Sequence, residues 1–277
     1  MPTGRTDTSN TKSGLPPPLC SPQCEPLFQP VSRPIWRESL WMFEWARLRL
    51  SPVYYGRVPA RGDGTPVIVV PGFLGTDLYL TELHLWLARI GYEPVLSDIG
   101  RNADCPDVLL ERLTETLDAT FERAGRHVVL VGHSFGGVLA RAAAERRPQQ
   151  VAKLVALGAP LRELRAHPLV LRAAQRLKYV LPPPQLRPRP HGDHEHGHVC
   201  ACTFLKDPQA PLPSDVDLVS IYSEADGVID PKTCLVDAPG RNVRVRSSHT
   251  GLVVNAEVYE VLARELAARH AVAREVA

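Results

Sequence analysis

The sequence lacks the features that mark membrane-spanning, secreted and nucleic-acid-binding proteins. No apolar stretch approaches the roughly 18–20 residues that cross a bilayer, and the first residues lack the apolar core of a signal peptide. Lysine and arginine form no concentrated run, and the formal net charge is only +2. We therefore expect no transmembrane helix, no nucleic-acid partner and a cytoplasmic location.

Cysteine is scarce as well. The chain of 277 residues contains six cysteines, at positions 20, 24, 105, 200, 202 and 234, which is too few for a disulfide scaffold at this length. Free thiols are the expected state, and one or two bridges that pin loops are the alternative.

Composition divides the chain into segments of different character. Residues 1–34 carry eight prolines and hardly any apolar periodicity, which predicts a disordered or loosely attached arm. Residues 35–60 follow as an amphipathic helix and lead-in. A regular pattern of strands and helices fills 61–160 and 216–277, and residues 161–215 interrupt this pattern as a cap or lid insertion.

The predicted helix at 36–50 is rich in tryptophan. Trp41, Trp45 and Leu48 recur at the spacing of one helical face. The charged residues at other angles are Glu38, Glu44 and Arg47. Such a helix either packs on the main body or lies on a membrane surface. We favour packing, and weak contact with a membrane surface is the alternative.

From residue 66 onward, short apolar runs alternate with helical patterns. The predicted strands are Val67–Val70, Tyr92–Ile99, His127–Val131, Val151–Leu157, Asp217–Tyr222 and Asn242–Arg246. The predicted helices are Leu80–Ile90, Asp107–Ala124, Phe135–Arg147 and a closing helix at 256–270. This alternation predicts an α/β fold, with a mostly parallel sheet covered by helices on both faces. In such sheets, ligands bind beyond the carboxyl ends of the strands.

The most informative motif is Gly-His-Ser-Phe-Gly at positions 132–136, between an apolar strand and an alanine-rich helix. A nucleophilic serine on a strained strand–helix turn needs small residues two positions before and after it, because the turn lifts its hydroxyl above the sheet edge. Ser134 is therefore the candidate nucleophile. The alternative is an ordinary glycine-rich turn with an incidental serine.

A serine hydroxyl needs a base, and that base needs an orienting acid. His249 follows the last predicted strand, and Asp226 follows the strand before it, so both lie beyond carboxyl ends of strands. We expect His249 to be the base and Asp226 to be the acid. Asp230 and Glu224 are the alternatives for the acid.

A tetrahedral intermediate also needs two N–H donors. The amide of Phe135, directly after the serine, is one candidate for this oxyanion hole. The loop Pro-Gly-Phe-Leu-Gly at 71–75 supplies the other, for which we expect the amide of Phe73, with Leu74 next. The alternative for this loop is a simple Pro-Gly turn.

Four motifs, in this order, resemble the lipase/esterase branch of the α/β-hydrolase superfamily. They are Val-Val-Pro-Gly-Phe-Leu-Gly at 69–75, Gly-His-Ser-Phe-Gly-Gly at 132–137, Ile-Tyr-Ser-Glu-Ala-Asp-Gly-Val-Ile at 221–229 and Ser-His-Thr-Gly-Leu at 248–252. The resemblance spans about residues 62–270. It implies Ser134 as nucleophile, His249 as general base and Asp226 as acid. Pro-Gly replaces the His-Gly of many esterases, which is similar to the Pro-Gly-Phe form of some lipases.

The predicted cap contains a cluster of side chains that are able to bind metals. Its members are His191, His194, His196, His198, Cys200 and Cys202. Their spacing does not match a zinc finger, and prolines surround them. We therefore expect a solvated loop, no metal and no cofactor, and a metal site is the alternative.

Together, these residues predict a serine hydrolase that cleaves carboxylic esters of small molecules or lipids through an acyl-enzyme intermediate. The first alternative is an acyltransferase, in which an alcohol or amine replaces water. The second is a hydrolase-fold protein that binds ligands without turnover. An intact set of nucleophile, base and acid argues against the second, because binding alone does not require it.

Overall fold

A parallel six-stranded sheet lies at the centre of the computed structural model, which describes residues 29–172, 212–213 and 216–275, with the backbone alone for 269–275. The strands of this sheet are β2 (Pro66–Val70), β3 (Glu93–Leu96), β4 (Val128–His133), β5 (Val151–Leu157), β7 (Asp217–Ser223) and β8 (Arg241–Val245). Two short strands, β1 (Gln29–Pro30) and β6 (Arg165–Ala166), pair with each other in a separate sheet. The helices that cover the sheet or precede it are α1 (Trp41–Leu50), α2 (Thr81–Arg89), α3 (Pro106–Ala124), α4 (Phe135–Arg146) and α5 (Ala256–Glu275).

The strand order of the sheet is β3-β2-β4-β5-β7-β8, and every neighbouring pair is parallel. Successive side chains of a strand point to opposite faces. Accordingly, Val67 and Val69 pack in one core layer with residues of α2 and α5, whereas Ile68 and Val70 pack in the other with residues of α3 and α4. The predicted α/β fold with helices on both faces is confirmed.

The largest difference from a predicted strand is at β3, which ends at Leu96 although its apolar pattern continues to Ile99. The cause is the carboxylate of Asp77. Its Oδ1 accepts hydrogen bonds from the Ser97 amide (3.2 Å) and the Ser97 hydroxyl (2.6 Å), which draws the chain away from the sheet. Asp98 follows with a positive φ of 53°, so the extended conformation cannot continue.

A buried lysine joins the central strands to the last helix. Lys153 on β5 is only 1% exposed, and its Nζ lies 3.0 Å from a carboxylate oxygen of Asp217 and 3.6 Å from one of Glu265. The buried ammonium group is thus paired with carboxylates, as a buried charge requires. This pairing joins β5 to the start of β7, the strand that leads to Asp226, and to α5.

Residues 29–34, which we predicted to belong to a loosely attached arm, contact the body of the protein. Gln29 and Pro30 pair in parallel with Arg165 and Ala166. Arg33 donates hydrogen bonds to backbone carbonyls of the loop that follows β7. The rest of the predicted arm, residues 1–28, lies outside the described residues.

The helix predicted at 36–50 consists of a 3-10 helix, Ile35–Leu40, that runs into α1. Its predicted apolar face is only partly its buried face. Leu48 is fully buried, but Trp41 and Trp45 remain 41% and 38% exposed.

Its two carboxylates lie where the amphipathic pattern did not predict them. Glu38 and Glu44 accept hydrogen bonds from loops at the carboxyl edge of the sheet, instead of facing only solvent. Loop amides satisfy these carboxylates, so this charged side of the segment is able to pack on the protein.

Of the predicted cap, the described residues are 161–172 and 212–213. Leu161 and Leu164 are buried in the core layer of α3 and α4, and the His167 amide donates to the Val228 carbonyl (2.8 Å). The remainder of the cap lies outside the described residues, and so does its histidine–cysteine cluster.

The described residues include two of the six cysteines. Cys105 and Cys234 are both buried, and the other four cysteines lie outside the described ranges. Within the same ranges, no helix is long and apolar enough to cross a membrane, and no group of three or more metal-binding side chains comes together.

Candidate active site

The predicted site residues follow strands whose carboxyl ends meet at one edge of the sheet. Ser134 follows β4 directly, Asp226 lies three residues beyond β7 and His249 lies four residues beyond β8. The loop at 71–75 leaves the end of β2, the neighbour of β4. Since all these strands are parallel, the fold brings the four sequence motifs to the same edge.

Ser134 has a strained backbone between β4 and α4. Its φ is 53° and its ψ is −128°, a combination that non-glycine residues rarely adopt. Its amide donates to the Leu157 carbonyl (2.8 Å), and its own carbonyl accepts from the Gly137 amide (2.9 Å). This is the conformation that a nucleophile elbow requires.

The glycines around the turn are needed because backbone passes close to them. A Cβ atom on Gly136 would overlap the carbonyl oxygen of Pro71 and lie 2.5 Å from that of Val70. A Cβ atom on Gly132 would overlap the Cα atom of Gly137. The Gly-x-Ser-x-Gly spacing is therefore a packing requirement of this turn.

Asp226 and His249 form a buried pair. Oδ2 of Asp226 lies 2.7 Å from Nδ1 of His249, and the two residues are 1% and 6% exposed. Oδ1 of Asp226 accepts from the amides of Val228 (2.8 Å) and Ile229 (2.7 Å). With Nδ1–H donated to the carboxylate, Nε2 of His249 is the nitrogen that can accept a proton.

The pKa of His249 is raised above its ordinary value. Burial of the ring favours the neutral form, but the negative charge of Asp226 and its hydrogen bond favour the charged form more strongly. The charge of Glu38 adds to this rise in pKa. The site is therefore suited to hold the imidazolium that forms when the ring takes a proton.

The two alternatives for the acid have other partners. Asp230 accepts from the Lys232 amide (3.1 Å) and lies 3.9 Å from the Arg165 guanidinium. Glu224 is paired with Arg244 at 3.3 Å on the surface. Of the three carboxylates, Asp226 is the one in contact with His249.

The loop at 71–75 passes directly beside the nucleophile turn. A Cβ atom on Gly72 would lie 3.1 Å from the Cβ atom of Ser134. The Leu74 amide, the second candidate for the oxyanion hole, already donates to the Asn102 carbonyl (2.7 Å). For the Phe73 amide, no hydrogen-bond acceptor is found among the described residues, which favours Phe73 as the donor. The Phe135 amide lies at the N-terminus of α4, where the helix dipole favours negative charge.

Tyr79 links this loop to the nucleophile turn, a connection for which the sequence pattern gives no signal. Its hydroxyl accepts from the Gly72 amide (2.9 Å) and lies 2.5 Å from Nδ1 of His133. Nε2 of His133 lies 3.0 Å from the His249 carbonyl, which only accepts. His133 therefore donates from Nε2, and its Nδ1 accepts from the tyrosine.

This assignment needs a neutral imidazole at position 133. Burial, with a smaller effect of the neighbouring His249, lowers the pKa of His133 to about 3. Burial also raises the pKa of the Tyr79 hydroxyl, which keeps it a donor. The chain of hydrogen bonds thus runs from the loop at 71–75, the candidate oxyanion loop, through Tyr79 and His133 to the backbone of the candidate base.

Asn102 holds the other side of the candidate oxyanion loop. Besides accepting from Leu74, it donates from its side chain to the Pro71 carbonyl (2.7 Å) and from its amide to the Gly75 carbonyl (2.9 Å). It is fully buried. A polar residue in a loop gives no sequence signal for this role, whereas His133 lies inside the Gly-x-Ser-x-Gly motif itself.

Comparisons with known proteins agree with this architecture. Residues 124–231 match a family model described as the alpha/beta hydrolase fold. A search of curated proteins finds no match.

Solved structures resemble the chain at low sequence identity. A metagenomic carboxyl esterase has a TM-score of 0.53 at 16% identity, over 76% of each chain. A soluble variant of monoglyceride lipase from Saccharomyces cerevisiae has a TM-score of 0.51 at 13% identity, over 76% of this chain and 88% of its own. A structure from work on two metagenome-derived lipolytic enzymes has a TM-score of 0.50 at 17% identity, over 76% and 94%. The chain therefore has the α/β-hydrolase fold.

Proposed function

We propose that the protein is a serine hydrolase of the lipase/esterase type that cleaves carboxylic esters through an acyl-enzyme intermediate. The observation that carries the proposal is the buried hydrogen bond of 2.7 Å between Asp226 and His249, at the sheet edge where Ser134 lies in its strained turn. The relatives in fold include proteins that are, by name, an esterase and a lipase.

The proposed reaction assigns one role to each residue. His249 takes the proton from the Ser134 hydroxyl as its oxygen attacks the ester carbonyl, and Asp226 stabilises the imidazolium that forms. The amides of Phe73 and Phe135 donate to the oxyanion. His249 then protonates the leaving alcohol, and a water molecule, activated by the same ring, releases the acid and restores the serine.

Two further assignments remain predictions. We expect residues 161–215 to act as a cap that shapes the acyl pocket. We also keep weak contact of the 36–50 helix with a lipid surface as a prediction, since Trp36 and Phe43 are 66% and 72% exposed.

The nucleophile is tested with a fluorophosphonate probe, which reacts with an activated serine. We expect one label per chain, and Ser134→Ala should remove the label and lower kcat for ester hydrolysis on the order of 10⁶-fold. Ser220→Ala is the matched control, because this buried serine donates to the Cys234 carbonyl and should keep the label. Labelling that persists in folded Ser134→Ala would contradict the proposal.

The substrate class is tested with p-nitrophenyl esters of increasing acyl length, each with and without an added acceptor alcohol. Hydrolysis that does not depend on the alcohol supports the proposed function. Turnover that requires the alcohol, with the acyl group recovered on it, would instead identify an acyltransferase.

A further inference from the structure

Glu38 belongs to the segment at 29–50, which precedes the sheet. It bridges the loop after β7, which carries Asp226 (the acid loop), and the loop after β8, which carries His249 (the histidine loop). Oε1 of Glu38 accepts from the amides of Gly227 (2.9 Å) and His249 (3.0 Å), and Oε2 accepts from the Thr250 amide (2.7 Å). Gly227 follows Asp226 directly. One carboxylate therefore joins the backbone next to the candidate acid to the backbone of the candidate base.

A second glutamate of the same segment binds only the histidine loop. Glu44 accepts from the Ser248 amide (2.8 Å), the Asn255 side chain (2.8 Å) and the Ser247 hydroxyl. None of these contacts reaches the loop that carries Asp226. Glu44 is thus similar to Glu38 in chemistry and in the number of bonds it accepts, but it does not connect the two loops.

The segment also holds the acid loop from its carbonyl side. Nε of Arg33 donates to the Asp226 carbonyl (3.0 Å), and a terminal nitrogen of Arg33 donates to the Glu224 carbonyl (2.7 Å). Loop carbonyls and amides usually depend on water or local turns for their partners. Here, charged side chains from about 190–210 residues earlier in the chain take that place.

We propose that Glu38 is a positioning residue that sets the relative placement of Asp226 and His249 and places a negative charge beside the base. The inference rests on the proposed function, since it concerns the same site. The distance of 2.7 Å between Asp226 and His249 depends on two separate loops, and the shared carboxylate restricts the movement of one loop against the other. Small displacements in an active site are expensive, because about 1 Å costs on the order of 10²-fold in rate.

The electrostatic part of the proposal depends on the groups around the base. Among the described residues, the titratable groups that face His249 are Asp226 from the loop after β7, Glu38 from the 3-10 helix and His133 from β4. Glu44 contacts the two residues before His249, and the cation of Arg33 lies behind Asp226. The charge of Glu38 contributes to the raised pKa of His249.

The test compares Glu38→Gln with Glu44→Gln in the full chain, using a short p-nitrophenyl ester. For Glu38→Gln, we expect kcat to fall on the order of 10-fold with KM nearly unchanged, because placement of the base is affected and binding is not. The base acts only when neutral, so activity rises with pH through the pKa of His249. Removing the charge of Glu38 removes one cause of the raised pKa. The acidic midpoint of the kcat/KM profile should therefore move to lower pH.

Glu44→Gln is the matched control. It should lower the unfolding temperature about as much as Glu38→Gln, with a smaller loss in kcat and an unmoved midpoint. Glu38→Asp keeps the charge but shortens the side chain, so it should lower kcat and leave the midpoint in place. This variant also decides the question if Glu38→Gln does not fold.

The proposal is overturned by a folded Glu38→Gln with wild-type kcat and midpoint, by equal shifts of the midpoint in Glu38→Gln and Glu44→Gln, or by wild-type kcat in Glu38→Asp. Failure of the proposed function has a different signature. In that case, the wild-type chain shows no esterase activity, or Ser134→Ala remains active.

Discussion

The nucleophile turn and the acid–histidine loops lie at the same edge of the sheet but are held in different ways. The turn is fixed by its own backbone, through the bond from the Ser134 amide to Leu157 and through glycines that touch neighbouring carbonyls. The loops are fixed by side chains that lie far away in the sequence. Glu38 is separated from Gly227 by 189 residues and from His249 by 211.

This difference separates two kinds of rigidity. A turn that backbone packing defines tolerates few residue types, so any side-chain change at Gly136 alters the turn itself. Loops that a remote carboxylate holds accept more residue types at their own positions, because the carboxylate binds their backbone amides. They depend, however, on a segment outside the sheet. Substitutions should therefore have separable effects in the two regions, on the fold of the turn and on the placement of the loops.

The largest effect in the acid–histidine loops should come from Asp226→Asn. Two amides bind Oδ1, so the asparagine oxygen is expected to remain there and its NH₂ group to face His249. Nδ1 of His249 must then accept, Nε2 carries the proton and the base is lost. We expect kcat to fall on the order of 10²–10⁴-fold, as measured by steady-state ester hydrolysis.

Asp230→Asn is the control for this substitution, because Asp230 contacts Lys232 and Arg165. We expect it to lower kcat less than about tenfold. If Asp230→Asn lost more activity than Asp226→Asn, Asp230 would be the acid that orients His249.

A smaller effect is expected from Tyr79→Phe, which tests the nucleophile side. The change leaves the Gly72 amide and Nδ1 of His133 without the partner they share. An unsatisfied buried group costs about 1–3 kcal/mol, and a loss of that size should appear in the free energy of unfolding from denaturant titration. The oxyanion loop should also loosen, so kcat should fall by up to about tenfold. Tyr55→Phe, at a tyrosine that is 65% exposed, should change neither quantity, and equal behaviour of the two variants would refute this role of Tyr79.

The smallest effect on the chemical steps is expected when part of the predicted cap is replaced. Replacing residues 182–202 with a short Gly-Ser linker should change acetate ester hydrolysis less than about threefold and shift the preference among longer acyl chains. This outcome would indicate that the catalytic groups lie in the nucleophile turn and the acid–histidine loops, and not in the replaced segment. A folded variant that no longer hydrolyses acetate esters, or wild-type turnover that EDTA abolishes and zinc restores, would mean that the histidine–cysteine cluster takes part.

The parts of the molecule that the sequence predicts well are those with a local physical signature. Apolar runs such as Val67–Val70 and Val151–Leu157 predict buried parallel strands, and both are found in the sheet. The strained turn at Ser134 needs glycine on both sides, and this requirement is visible within five residues.

The parts that escaped prediction depend on contacts between distant residues. Amphipathic periodicity assigns charged residues to solvent, so Glu38 and Glu44 gave no sign that loop amides about 200 residues later would bind them. Similarly, β3 ends early because the Asp77 carboxylate accepts a hydrogen bond from Ser97. The apolar pattern of β3 itself does not predict this bond. Tyr79 and Asn102 are ordinary loop or 3-10-helix residues until the fold places them beside the oxyanion loop.

The distant partners of Glu38 have a consequence for the order of events during synthesis. Glu38 is translated 211 residues before His249, which at roughly 5–20 residues per second corresponds to about 10–40 s. During this time, its carboxylate is without these loop partners. The bridge closes only after His249 has been translated and β8 has joined the sheet, so a chain that stops before β8 carries the turn at Ser134 without the candidate base. The proposed hydrolase thus becomes competent only after the loop that carries His249 has been synthesised and has reached Glu38.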